Sequence, residues 1–276
     1  MTDKIDDGFT EDGLRALLGD LLDGWRNDRG RGQGFESAGE PATVSTVYAL
    51  TAHAYKLGYA VLALLGDGFA VETIPLIRSA YEATITASWI GQIPDALPAY
   101  LNRNHNQQKA LRDTMTAAGW ADGSPAIPAD ALTPYLVSKH SKDGASYVQT
   151  LCKDFFTGDA MYSVYRGLSW LTHPTAAVTD MYLEMKPTAV RPTLHTTARY
   201  ANDLMTTWLH VLCASLVWSA RALNLIDATR TKSGDRQRLR IAARTLGITE
   251  FLAVTNDAKF RGSKHERVRA AAPDAD

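Results

Sequence analysis

TVSTVYALTAHAYKLGYAVLALL, residues 43–65, decides the fold class. One apolar stripe runs through Val44, Val47/Tyr48, Thr51, Tyr55, Tyr59, Leu62 and Leu65, and a second through Leu50, Ala54, Leu57, Val61 and Leu64. Both follow the helical period and neither alternates as a strand does. A surface helix needs one apolar stripe, so a helix apolar on two faces belongs in the centre of a bundle. Across Gly66-Asp67-Gly68 the pattern repeats over Val71–Gln92. There Ile74, Ile77, Tyr81, Ile85 and Trp89 lie on one side, and Leu76, Ala80, Ala83, Ala87 and Ile90 on the other. So short a connection predicts two antiparallel neighbours.

Outward from this pair the helical period continues. Leu14, Leu17/Leu18, Leu21/Leu22 and Trp25 form one buried face on a helix over Glu11–Arg26, with Thr10 as its N-cap. Asn27–Pro41 reads as a linker. A polar helix over Ala99–Ala118 carries a solvated row of Asn102, Asn104, His105, Asn106, Gln107 and Gln108. Shorter helical segments follow at Ala131–Lys139 and Gly144–Phe155, then an apolar helix at Tyr162–His173. Lys186-Pro187 and Arg191-Pro192 exclude a long helix and leave a loop or one short hairpin between Asp180 and His195. Leu204/Met205, Trp208, Leu212, Leu216 and Ala220 define a long helix over Thr197–Leu225. A basic surface helix over Asp235–Leu246 precedes a tail, Gly262–Asp276, whose composition predicts disorder. The expectation is an all-α multi-helix bundle of about six to eight helices. Its segments are an N-terminal helix and linker (1–42), a bundle core (43–226) and a basic C-terminal helix with tail (227–276).

The 276 residues are 45% hydrophobic and 21% charged, ordinary for a globular protein. A net charge of −1 argues against coating nucleic acid by bulk charge and leaves room for a local basic patch. Cys152 and Cys213 are far apart without a CxxC partner, which argues against a cysteine-built zinc site and points to a reducing compartment. The acidic start, Met1–Asp7, is unlike a secretory signal. The longest apolar runs, Leu57–Leu65 and Val211–Trp218, fall short of the roughly 20 residues of a spanning helix. A cytoplasmic protein without membrane partners is expected. HExxH, Glu-x-x-His, P-loop, GxGxxG and GxSxG patterns are absent, so neither metal nor cofactor is expected.

Chemistry concentrates in YSVYRGLSWLTHP, residues 162–174. Arg166 and His173 are seven positions apart, close to two turns, so they share a face with backbones roughly 10 Å apart. A guanidinium that forks onto phosphate oxygens, beside an imidazole that moves protons near neutral pH, makes a phosphate-handling pair. Tyr165, just before Arg166, and Ser169, between the two, are expected as substrate contacts. In the alternative, Arg166 caps a buried carboxylate and His173 marks the helix end. Arg78 and Glu82, four apart, form an internal salt bridge, or Glu82 orients Arg166 or His173 from the neighbouring helix. Arg230, Lys232, Arg236, Arg238, Arg240 and Arg244 form either a solvated face or an RNA surface, with Arg236 and Arg240 as contacts. Asn202, Asp203, Thr206 and His210 read as a polar seam, loosely similar to the second metal motif of class I terpene cyclases but lacking its aspartate-rich first motif. His53 reads as a hydrogen-bonded core histidine or a pocket residue; His105 and His140 read as solvated.

Arg166 and His173, separated by six residues in an apolar helix, resemble the Rx4–6H signature of HEPN domains. Those are all-α bundles, many of them metal-independent ribonucleases of toxin–antitoxin and antiphage systems. HEPN motifs often place a polar residue after the arginine, where this chain has Gly167. The resemblance implies an endoribonuclease or ribonuclease-derived module of stress or phage response. In it Arg166 binds the scissile phosphate, His173 assists the ribose 2′-hydroxyl, and a homodimer completes the site. It implies RNA, and an antitoxin or other protein, as partners. The pattern of Ile77–Glu82 with Tyr165–Ser169 and Thr172–Pro174 also resembles a large uncharacterised bacterial helical family, over about Thr43–Leu225. Two other functions fit the same residues. One is a non-catalytic binding or scaffold module with a buried Arg78/Glu82/Arg166/His173 network. The other is a small-molecule enzyme with a pocket among Tyr55, Tyr59, Tyr81, Trp89, Tyr165 and Trp170.

Overall fold

A computed structural model describes residues 9–29, 40–120, 137–186, 191–199, 201–226 and 233–260. Its helices, in chain order, are α1 (Glu11–Arg29), α2 (Pro41–Gly66), α3 (Ile74–Ile90, entered through a 3₁₀ turn at Val71–Thr73), α4 (Ala96–Ala117), α5 (Lys139–Ser146), α6 (Val148–Cys152), α7 (Gly158–Thr172), α8 (Ala176–Tyr182), α9 (Ala201–Ile226) and α10 (Ser233–Thr245). A two-stranded antiparallel hairpin, β1 (Leu183–Glu184) with β2 (Thr193–Leu194), pairs Leu183 with Leu194 and Glu184 with Thr193. The fold is the all-α bundle expected. The helices beyond the expected number are short, and α8, at seven residues, carries no signal in the sequence. Most of the 27–41 linker and of the 131–139 segment, together with Arg230, Lys232 and the tail from Gly262, lies outside the described residues.

Contacts divide the chain into two units, Met1–Gly91 with Ala160–Leu252, and Gln92–Asp159 with Ala253–Asp276. In the first, α9 packs on α1, α2, α3 and α10, and α2 lies against α3. Thr10 caps α1 by accepting from the Gly13 N–H at 3.1 Å. Leu14, Leu18, Leu21 and Leu22 make its buried face. On α2 the first stripe is deeply buried through Val44, Val47, Thr51, Tyr55 and Leu65, whereas Leu50, Leu57 and Leu64 are only half-buried. Thr51 and Tyr55 donate to the Ser219 and Leu216 carbonyls of α9, both at 3.2 Å, so the polar groups of this central helix are spent inside the bundle. The turn after α2 needs Gly68 at φ 84°, where the Phe69 N–H closes back on Leu64. By length and composition alone, Leu204–Ile226 of α9 could cross a membrane. Yet 61% of that window is buried in the protein, as befits a core helix.

In the second unit, α5 packs on α4 and α6. Ser138 caps α5, and the buried Asp95 accepts from the Ser138 N–H and the Ser141 hydroxyl. A single bridge joins Phe155 to Val254.

Candidate functional site

The side chain that gathers the others is Arg78 of α3. Its Nε donates to Glu82 one turn on, at 2.9 Å. The other end of the fork crosses to α7, where Nη2 donates to the Tyr165 hydroxyl at 3.0 Å and Nη1 to Thr172 Oγ1 at 3.1 Å. Nη1 also lies 3.3 Å from His173 Nε2. A guanidinium only donates, so this nitrogen must accept, which puts the imidazole proton on Nδ1. The Arg78 guanidinium further sits 5.1 Å from the Tyr165 ring centroid. Toward the other end of α7, Tyr81 donates to the Met161 carbonyl at 3.0 Å, so α3 grips α7 at two levels.

Arg78 and Glu82 are half-buried, whereas Arg166 and His173 are exposed. Arg166 lies 6.0 Å from the Tyr162 ring and has no ion pair among the described residues. The outward ridge of α7 is Ser163, Arg166, Trp170 and His173, in steps of three and four. Tyr165 and Ser169 sit behind it. Tyr165 is held by Arg78, and Ser169 Oγ donates to the Tyr165 carbonyl at 2.8 Å.

Several sequence expectations need correction here. The contact that orients His173 comes from Arg78 and not from Glu82, because the guanidinium spans the gap and the carboxylate faces Arg78 Nε. Among the described residues Arg166 caps no buried carboxylate. His53 is exposed on α2, not packed in the core. His140 pairs at 2.6 Å with Asp154, whose side chain is fully buried, so it is not simply solvated. A signal for Arg78 as the hub was present in its charge on a helix apolar on two faces; Thr172, which shares it, had none.

Gly167 points inward. A Cβ there would meet Trp208 Cη2 of α9 at 3.1 Å, so the indole ring of Trp208 lies against the α7 backbone at this position. A side chain after the arginine would require the Trp208 ring to give by a few tenths of an ångström.

Other expected groups lie elsewhere. Arg236 and Arg240 are exposed on α10, with no hydrogen bond or ion pair to the α3–α7 cluster. Arg238 turns inward to Asp28 and Asp235, at 2.7 and 2.6 Å. His210 donates to the Leu246 carbonyl at 2.9 Å, and the side chains of Asn202 and Asp203 lie outside the described residues. Tyr55, Tyr81 and Trp89 are packed in the core, and Trp170 is exposed. A groove of about 390 Å³ is lined by Leu17, Asp20, Leu21, Gln237, Arg238, Ile241 and Ala242, none of them on α3 or α7. Among the described residues no group of three or more His, Cys, Asp or Glu side chains is placed to hold a metal.

No curated protein and no solved structure matches the chain. A family model does match, over residues 45–189, more than half of the 276-residue chain. That span contains most of α2, all of α3 and α7, and the whole Arg78 cluster. The chain belongs to the family described as "Family of unknown function (DUF5677)".

Proposed function

We propose that this protein is a HEPN-like, ribonuclease-derived module whose α7 face binds the RNA backbone. One observation carries the reading: Arg166 and His173 stand exposed on a single ridge that Arg78 braces from behind. The Arg166 fork has no carboxylate partner among the described residues, the state in which a guanidinium grips phosphate in two places. Residues 162–174 contain no acid, so nothing on the ridge repels a phosphate. His173 adds a second polar contact. Its Nε2 lone pair is engaged by Arg78, so in this conformation the imidazole is a poor acceptor for a ribose hydroxyl proton. Binding, rather than cleavage, is the activity this arrangement favours.

The test pairs fluorescence anisotropy on a labelled RNA oligonucleotide with a gel assay of the same RNA in chelator. Binding that weakens with salt is expected, together with a loss of roughly tenfold in Arg166→Ala from one charge-assisted phosphate contact. The RNA stays intact. Cleavage that disappears in His173→Ala would instead make the module an endoribonuclease of the HEPN kind. Absence of binding at low salt would refute the reading.

The scaffold reading has its own supporting observation. The Arg78 guanidinium is engaged within the protein by Glu82, Tyr165, Thr172 and His173. If the cluster serves only to join α3 to α7, Arg78→Ala lowers the melting temperature and Arg166→Ala changes no measurable property.

A further inference from the structure

We infer that the α7 ridge selects unpaired RNA, with Trp170 stacking a base while Arg166 holds a neighbouring phosphate. This rests on the RNA-binding reading and goes beyond it to the form of RNA bound. Trp170 is 60% exposed, as Trp120 and Phe156 also are, at 67% and 69%; what sets it apart is a cationic side chain one turn away on the same face. It lies on the ridge between the two polar groups, one turn from Arg166 and three residues from His173. One helical turn is about 5.4 Å along the axis, within the reach of a single nucleotide. Indole offers a flat face on which any base can stack, and stacking together with a cationic contact to the backbone is how sequence-tolerant single-strand binders hold their ligand. Paired bases keep their faces inside the stack and present only edges and backbone, so Trp170 gains nothing from a duplex. A second copy of this chain fits the ridge less well. A twofold contact on this face would bring two acid-free cationic ridges together, with like charges opposed.

The experiment compares wild type, Trp170→Ala and Trp170→Phe on a labelled single-stranded oligonucleotide and on a blunt duplex of the same length. Sedimentation velocity is run on each protein without RNA. Trp170 is exposed, so the substitutions leave the fold intact, and a thermal melt checks that. Wild type is expected to prefer the single strand. Trp170→Ala weakens single-strand binding by roughly tenfold and duplex binding little, and Trp170→Phe keeps most of the affinity. Equal losses on both RNAs, or no loss on either, would overturn the inference while leaving RNA binding in place. A dimer that falls apart in Trp170→Ala would assign the face to a second copy and overturn it too. Wild type that binds neither RNA would remove the parent reading together with this one.

Discussion

At the scale of single residues, Gly167 and Arg78 carry the account. Gly167 leaves room for the Trp208 ring of α9, since a Cβ would come within 3.1 Å of it. Gly167→Asn, the substitution that would make the stretch more like a HEPN motif, should therefore destabilise the protein by about 1–3 kcal/mol in chemical denaturation. Gly167→Ala should lie much nearer balance, because relief of helical glycine contributes about 1 kcal/mol against the push on Trp208. Arg78→Lys should weaken the α3–α7 tie almost as much as Arg78→Ala. A lysine keeps the charge but cannot reach Glu82, Tyr165 and Thr172 with one planar fork. A thermal melt of the two variants side by side checks this; near-wild-type stability in the lysine variant would mean that charge alone suffices. The sequence announced Arg78 and Glu82 as partners, because two opposite charges four apart on a buried helix have few alternatives. It could not announce that Arg78 would reach His173. That contact joins residues 95 positions apart and depends on how α3 and α7 come to lie together.

At the scale of elements, α1 and α10 are joined by Arg238, whose guanidinium lies across Gly24 between Asp28 and Asp235. A methyl group at Gly24 would fall 2.2 Å from the Arg238 Cζ. Gly24→Ala should therefore make the guanidinium shift, at a cost kept small by the flexibility of the arginine and by alanine's better helix propensity. Arg238→Ala is expected to cost about 1–2 kcal/mol, between an exposed and a buried pair, since the side chain is 31% exposed. Denaturant melts of these two variants should show the smaller loss in Gly24→Ala; an equal loss would mean that the guanidinium cannot shift without leaving both carboxylates. The sequence grouped Arg238 with five other basic residues because a charge run gives no sign of which member turns inward. By contrast, α1, α2, α3 and α9 were legible to within a few residues, since each repeats its apolar stripe over several turns. The seven residues of α8 are too few to establish a period. The hairpin was legible only as an option, through the two prolines that bar a helix.

At the scale of the molecule, the bundle buries both cysteines and exposes the Arg166–His173 ridge, as it does the basic face of α10. Cys152 and Cys213 are buried, and burial pushes both thiols up to about 12. Neither should react with a thiol reagent at pH 8 until denaturant is added, because almost no thiolate forms and access is closed. Rapid labelling of native protein would contradict this. The long central helix α9 is apolar enough to pass for a membrane span, yet its faces are taken up by α1, α2, α3 and α10. The fold class followed from periodicity because burying two-sided helices demands a bundle. The site followed only in part, because exposure is decided by tertiary packing. Arg166 and His173 were legible as a pair on one face, but that this face would look outward was not. The claim that the outward face of α7 is an RNA surface is tested most directly by photo-crosslinking the full-length protein to 4-thiouridine-substituted RNA and mapping the crosslinked peptides. The account predicts crosslinks within residues 162–174, reduced in Arg166→Ala. Crosslinks confined to α10, around Arg236 and Arg240, or none above a control with excess unlabelled RNA, would contradict it.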